Sequence, residues 1–364
     1  MIITIQYLRG IAAMLVVLAH IDTQMLRIAK DQLWPGAGAG IWGVDIFFVI
    51  SGLIMYRAAI ATDIAPGRFL LNRAIRIVPL YWVLTALVAA GAYIVPSLFS
   101  STRFEPFHTL ASLLFVPWPN PAYAGYWPVL IPGWTLNFET YFYVVVAIAL
   151  LLPRQLRLLG ASLIMIAAFI VLRWAGAPGL LGFYANDIVL EFVFGLLIGY
   201  AFERKAQASP ATGAILIGLA CAAVLWSPGF ERIPRSVVYG IPAAMLVFGS
   251  LQFEPWAKRH PLRPLRYLGD ISYSLYLTHV IALPAMTSVF AKLMARLGAN
   301  IVWAYPPIAA IAAIALAALS YRLLEQPLTQ WFRRFADAKP TSQALRDRPR
   351  RNQPAGVTHL QRSR

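Results

Sequence analysis

Charge is scarce in this 364-residue chain: 13% of its residues are Asp, Glu, Lys or Arg, against 59% hydrophobic. A soluble globular domain carries about a quarter charged and about half apolar residues, so the deficit excludes an ordinary soluble fold. Cysteine is rarer still, and the single Cys221 excludes an internal disulfide and a cysteine-based zinc site. Acidic residues are in the minority, 15 against 31 Lys and Arg, which leaves a formal charge of +16. Taken alone, that excess points to nucleic acid. Combined with a mean hydropathy of +0.65, it points instead to a chain embedded in lipid, and no nucleic-acid partner is expected. The five histidines lack metal-ligand spacing, so no metal is expected either. There is no Gly-x-Ser-x-Gly elbow, no Walker loop and no repeat of fixed period. The glycines of Gly38-Ala39-Gly40-Ile41-Trp42-Gly43 match a dinucleotide pattern only formally, since no strand precedes them.

What the chain does have is apolar runs long enough to cross a bilayer as helices. Ten are expected, at 5–27, 42–60, 77–96, 134–152, 158–174, 185–202, 212–227, 236–252, 269–290 and 302–324. The first is read as a retained helix, because no small-x-small cleavage site follows it. Segment 108–116 is too short to span and is placed in a loop. The fold class is therefore an all-α integral membrane protein, a bundle of about ten transmembrane helices. With an even number of spans both termini share a side, and 23 of the 31 basic residues fall on it. Positive charge marks the cytoplasmic face, so both termini are expected in the cytoplasm, with the chain in a bacterial inner membrane. Residues 1–330 form the transmembrane domain. Residues 331–364, with nine Lys and Arg against two Asp, read as a basic, disordered cytoplasmic tail.

An ionisable group inside a spanning helix costs about 2.5–3.5 kcal/mol on insertion scales, so each is a functional candidate. Arg9 and His20 lie eleven steps apart on the first helix, which returns them to one face about 16 Å apart. Arg9 read singly is a topology anchor, and His20 read singly is a packed histidine or a base. Asp45, at the outer start of the second helix, is expected at the depth of His20, where a carboxylate would orient the imidazole; equally, it could cap the helix. Glu139, at the outer start of the fourth run, could complete that polar cluster or pair with an arginine. Arg73 and Arg76 share a face at i and i+3. Their planar forks suit phosphate, although on spacing alone they are topology signals. His279 and Glu325 are further polar points, and the Gly195 to Gly199 spacing suits close helix packing.

In order along the chain, Tyr7-Leu8-Arg9-Gly10 with His20, Gly43-Val44-Asp45-Ile46-Phe47-Phe48, Arg73-Ala74-Ile75-Arg76, Trp134-Thr135-Leu136-Asn137-Phe138-Glu139, Phe194-Gly195, Ser272-Tyr273-Ser274-Leu275-Tyr276-Leu277-Thr278-His279 and Glu325-Gln326-Pro327 resemble the membrane-bound acyltransferase-3 family. Within it the chain is similar to compact bacterial exopolysaccharide O-acetyltransferases of the succinoglycan type. The resemblance implies transfer of an acyl group, usually acetyl from acetyl-CoA, to a sugar hydroxyl of an exopolysaccharide, its lipid-linked precursor or another surface glycan. It implies that Arg9 and His20 are an essential pair and that Arg73 and Arg76 serve the donor. Asp45 and Glu139 match polar positions of less settled role. The partners implied are the lipid bilayer, the glycan acceptor and other polysaccharide assembly proteins. The alternative from the residues is a polar glycan transporter or flippase, or a structural subunit of an export complex.

Overall fold

The computed structural model describes residues 2–29, 37–98, 102–206, 208–227, 233–297 and 299–337. All regular structure among them is helical, as hydrocarbon demands, since a backbone without water satisfies its hydrogen bonds inside each helix. The order is α1 (Ile3–Ala29), α2 (Gly43–Met55), α3 (Pro66–Ile94), α4 (Pro106–Leu113), α5 (Gly133–Ala149), α6 (Arg154–Trp174), α7 (Gly179–Tyr184), α8 (Val189–Glu203), α9 (Pro210–Leu225), α10 (Ile241–Leu251), α11 (Glu254–Arg259), α12 (Arg263–Asp270), α13 (Ser272–Leu297), α14 (Tyr305–Ser320) and α15 (Gln326–Asp337). Single π-helical turns extend α2 through Ile60 and α14 through Glu325, and another leads into α10.

Helices occupy all ten of the expected positions. Six stretches are long and apolar enough to cross a membrane: Ile3–Ala29, Ala39–Ile60, Pro66–Ile94, Arg154–Trp174, Ser272–Leu297 and Ile301–Asp337. The others are shorter, α5 with 17 residues, α8 with 15 and α9 with 16, below the roughly 20 of a perpendicular span. Length therefore supports an all-α membrane protein and six spans, and does not establish ten.

Local chemistry sets several helix ends. The first N–H groups of a helix lack partners within it, and at α1 they are met by Glu254 of α11, whose carboxylate accepts from Ile3 N at 3.0 Å and from Thr4 N and Oγ1 at 2.9 Å. Segment 108–116 is not a plain loop. Glu105 caps it by accepting from the N–H groups of Phe107 and His108, and Pro106 opens the short helix α4. Tyr81 and Trp82 of α3 then donate to the carbonyls of Ser112 and Leu113, which pins α4 against the bundle.

Close packing in the centre relies on missing side chains. A Cβ on Gly195 of α8 would come within 2.0 Å of the Val49 carbonyl, and one on Gly52 within 2.2 Å of the Phe192 carbonyl. The backbones of α2 and α8 thus touch, as small-residue interfaces in membranes allow. This close pair leaves α1, α2, α3, α5 and α13 to enclose the site. At the far end of the chain α15 crosses the domain boundary expected at residue 330 and continues to Asp337. Residues 338–364 of the expected tail lie outside the described residues.

Candidate active site

Two cavities, each of about 340 Å³, lie along the inner faces of α1 and α2. The first is nearer the start of α1 and is lined by Arg9, Arg73, Arg76, Arg333, Glu139 and Tyr143, among others. Its arginines are held unequally. Arg9 Nη1 donates to Gln6 Oε1 at 3.2 Å. Arg76 Nη1 reaches Glu325 Oε1 at 3.4 Å, and Glu325 also accepts from Ser274 Oγ at 2.7 Å. Arg73 lies over the Phe69 ring, and its buried Nε has no hydrogen-bond partner. An orphaned buried donor is costly; the Arg73 guanidinium lines the cavity, although its Nε is turned into the protein.

Glu139 belongs to this arginine cavity and not beside His20. Its Oε1 accepts from Ser51 Oγ at 3.0 Å and from Tyr143 Oη at 2.5 Å. The reason is depth. Thr135, one turn earlier on α5, is level with Tyr276, and the next turn along the same face carries Glu139 about 6 Å further toward the arginines. Of the two sequence options, completing the cluster at His20 or pairing with an arginine, neither contact is made among the described residues: Glu139 lines the arginine cavity and is held by Ser51 and Tyr143.

The second cavity is lined by His20, His279, Arg235, Tyr276 and the aromatic residues Tyr123, Trp127 and Trp134. His20 and His279 meet edge to face, ring centroids 4.8 Å apart. Each ring places Nδ1 against a carbonyl of its own helix, Val16 at 2.9 Å for His20 and Leu275 at 3.2 Å for His279. A carbonyl only accepts, so Nδ1 carries the proton and Nε2 is left as the acceptor in a neutral ring. The Nε2 of His279 is buried without a partner.

Asp45 does not orient His20. Both of its oxygens accept from Arg235, Nε and Nη2 each at 2.8 Å, and Glu191 of α8 lies against it. A bidentate guanidinium contact is stronger than a single imidazole bond, and it engages both carboxylate oxygens. Glu191 is fully buried, with neither oxygen accepting a hydrogen bond. Val44 and Tyr276 line both cavities and stand between them; a passage opening at this point would be the neck of the proposed transfer. Tyr276 is fixed there by its hydroxyl on Thr135 Oγ1 at 2.9 Å.

Arg9, Arg73, Arg76 and Glu139 are thus brought together, His20 stands in the adjoining cavity, and Asp45 is placed behind it with Arg235. Sequence reasoning left out four contributors. His279 was visible as a polar point but had no partner assigned. Glu191 sits inside an apolar run and carries the same insertion-cost signal as the others. Arg235 counted as an ordinary loop charge, and Arg333 fell in the segment assigned to the tail.

A family model described as an acyltransferase domain matches residues 2–322. The chain is 38% identical over 315 residues to the exopolysaccharide production protein ExoZ of Rhizobium meliloti (strain 1021), covering 84% of this chain and 94% of that protein. It is 31% identical over 292 residues to the putative membrane-bound transacylase BcsY of Komagataeibacter xylinus, covering 75% and 70%. Identity to the O-acetyltransferase OatA of Staphylococcus aureus is 25% over 366 residues, 90% of this chain and 57% of that protein. No solved structure matches.

Proposed function

This chain belongs to the acyltransferase-3 family, and from that premise we propose that it moves acetyl from acetyl-CoA across the neck between its two cavities to a sugar hydroxyl of an exopolysaccharide or its lipid-linked precursor. The enzyme class itself, a membrane O-acyltransferase, follows from the family and from its O-acetyltransferase relatives. Donor, acceptor and orientation are our reading. The observation that carries it is the pairing of chemically opposite cavities that share Val44 and Tyr276.

Coenzyme A is polyanionic at its nucleotide end and thin and flexible along its pantetheine arm. The arginine cavity suits the first, with the guanidinium groups of Arg9, Arg73 and Arg76 along its wall. The neck suits the second. This orientation puts the arginine end in the cytoplasm, where the donor is made, and agrees with the excess of basic residues on that side. Both termini then face the cytoplasm of a bacterial inner membrane. Across the neck, Tyr123, Trp127 and Trp134 offer flat rings to a sugar.

In the transfer step the acceptor hydroxyl attacks the thioester carbonyl while Nε2 of neutral His20 takes the hydroxyl proton. The carbon–sulfur bond then breaks, and the imidazolium returns the proton to the leaving sulfur. His279 offers a second acceptor for hydrogen-bonding the attacking group. Asp45 and Arg235, locked on each other, brace the wall of the cavity. Glu139, bonded to Ser51 and Tyr143, sets the far wall among the arginines. A relay through acetyl-His20 is the competing version; it would leave labelled acetyl on the protein when acceptor is withheld.

The test is polymer from a deletion strain carrying either the wild-type chain or His20→Ala, with acetyl content read by NMR. Acyl transfer predicts polymer that is exported with His20→Ala and lacks the ester. Loss of export itself would support the transporter reading instead, and unchanged acetylation would overturn both.

A further inference from the structure

We propose that the C-terminal helix α15 is a wall of the arginine cavity and that Arg333 is its fourth phosphate-binding cation. The inference rests on the reading of that cavity as the donor site, and concerns a segment which composition alone marks as a tail.

Both ends of α15 are tied to α3. Just before its first residue, Glu325 pairs with Arg76 at 3.4 Å. At its last residue, Asp337 pairs with Arg68, which also donates to the Ala336 carbonyl at 3.1 Å. Arg68, Arg73 and Arg76 all lie on the first three turns of α3, so the two ties lay α15 along the stretch that carries the paired arginines. Arg333 and Asp337 are four residues apart and share a face. The contact that fixes Asp337 therefore aims Arg333 inward, and Arg333 does line the cavity with Arg9, Arg73 and Arg76.

The opposite face has a different chemistry. Trp331 and Phe335 are also four apart, and two residues of helix place them about 200° from Arg333. Their rings meet at 4.5 Å and are 53% and 60% exposed. Aromatic rings on one side and arginine on the other fit a helix lying at the membrane interface. There the rings rest in lipid while the guanidinium turns to the cavity mouth.

Charge decides the ligand class. Four guanidinium groups line the cavity against one carboxylate, Glu139, which Ser51 and Tyr143 already occupy. Glu325 offsets Arg76 as well, and the positive surplus that remains suits a phosphate-bearing ligand such as the nucleotide end of coenzyme A. Phosphate chemistry is also offered by an anionic lipid headgroup, so the experiment must separate the two sources.

Binding of labelled CoA to the full chain would be measured in nanodiscs of phosphatidylcholine alone and in nanodiscs containing phosphatidylglycerol. The variants are Arg333→Gln, and Arg334→Gln as a neighbour that does not line the cavity. Loss of a charge-assisted contact predicts CoA binding weakened about ten- to a hundredfold by Arg333→Gln in both lipids. It also predicts near-wild-type binding and acetyl transfer for Arg334→Gln. Weakening by Arg333→Gln only where anionic lipid is present would assign the residue to lipid and overturn the inference. Equal effects of the two substitutions, or none, would overturn it too while leaving the donor reading intact. Failure of the wild-type chain to bind CoA would instead defeat the donor reading, and the inference with it.

Discussion

At the scale of single residues, the two imidazoles are the most exacting feature. His279 supplies a contact surface to His20 and an unpaired acceptor, and the two roles can be separated by substitution. His279→Phe keeps an aromatic edge against His20 and deletes the acceptor. It should lower kcat for acetyl transfer by about tenfold, the cost of one lost hydrogen bond, and leave the donor KM unchanged. An unchanged kcat would reduce His279 to packing. Asp45 predicts a different outcome, in stability. Asp45→Asn strips a buried guanidinium of its counter-charge, a loss of about 3 kcal/mol at the lower end for such pairs, because Arg235 retains 27% exposure. Thermal unfolding in detergent should show a clear fall in Tm, partly recovered in the double variant Asp45→Asn with Arg235→Gln. A double variant no more stable than the single one would contradict a paired role. These residues also mark how far a sequence carries. The insertion cost of a charge in lipid makes His20, Asp45 and Glu139 visible one at a time. Their partners depend on the azimuth and depth of other helices, and Asp45 finds Arg235 190 positions away.

Among the elements, the α2–α8 contact is the tightest constraint. Gly195→Val would set three carbon atoms where a single Cβ already comes within 2.0 Å of the Val49 carbonyl, so α8 must move from α2. Since α2 carries Val44, Asp45 and Ser51, the expected result is loss of monodisperse protein on size exclusion, or retained protein with weakened donor binding. Gly218→Val, whose Cβ would meet nothing within 4 Å, is the control and should behave as wild type. The glycine spacing made this interface legible, because close approach needs small residues at that interval. Helix positions were legible too, through unbroken hydrophobicity. The short helices were not, α4 and α15 among them. α4 is eight residues long, and its evidence is a cap and a proline, which hydropathy does not register. α15 is short, basic and aromatic, and its composition resembles that of a solvated tail until its contacts with α3 are known.

For the molecule as a whole, the surplus of positive charge resolves into two uses. On the proposed topology most basic residues lie in segments that fix orientation, and a minority converge on one cavity from α1, α3 and α15. The histidines line the adjoining cavity, so on the proposed reading the protein separates holding a polyanion from handling a hydroxyl. The neck is consequently where the two activities should come apart. Val44→Trp would fill the passage beside Tyr276 without touching an arginine or a histidine. Overpacking there costs about 1–3 kcal/mol, which thermal unfolding would register and which a folded chain can absorb. In the folded variant, 3′-phosphoadenosine 5′-diphosphate, which has the three phosphates of coenzyme A's nucleotide end and no pantetheine arm, should bind as to wild type. Acetyl transfer should fall at least a hundredfold, since the arm no longer reaches His20. Tyr276→Ala should do the reverse by widening the neck and raising acetyl-CoA hydrolysis in the absence of acceptor. If Val44→Trp transfers acetyl at the wild-type rate, the arm does not pass between the cavities, and donor and acceptor must meet on one side of the neck.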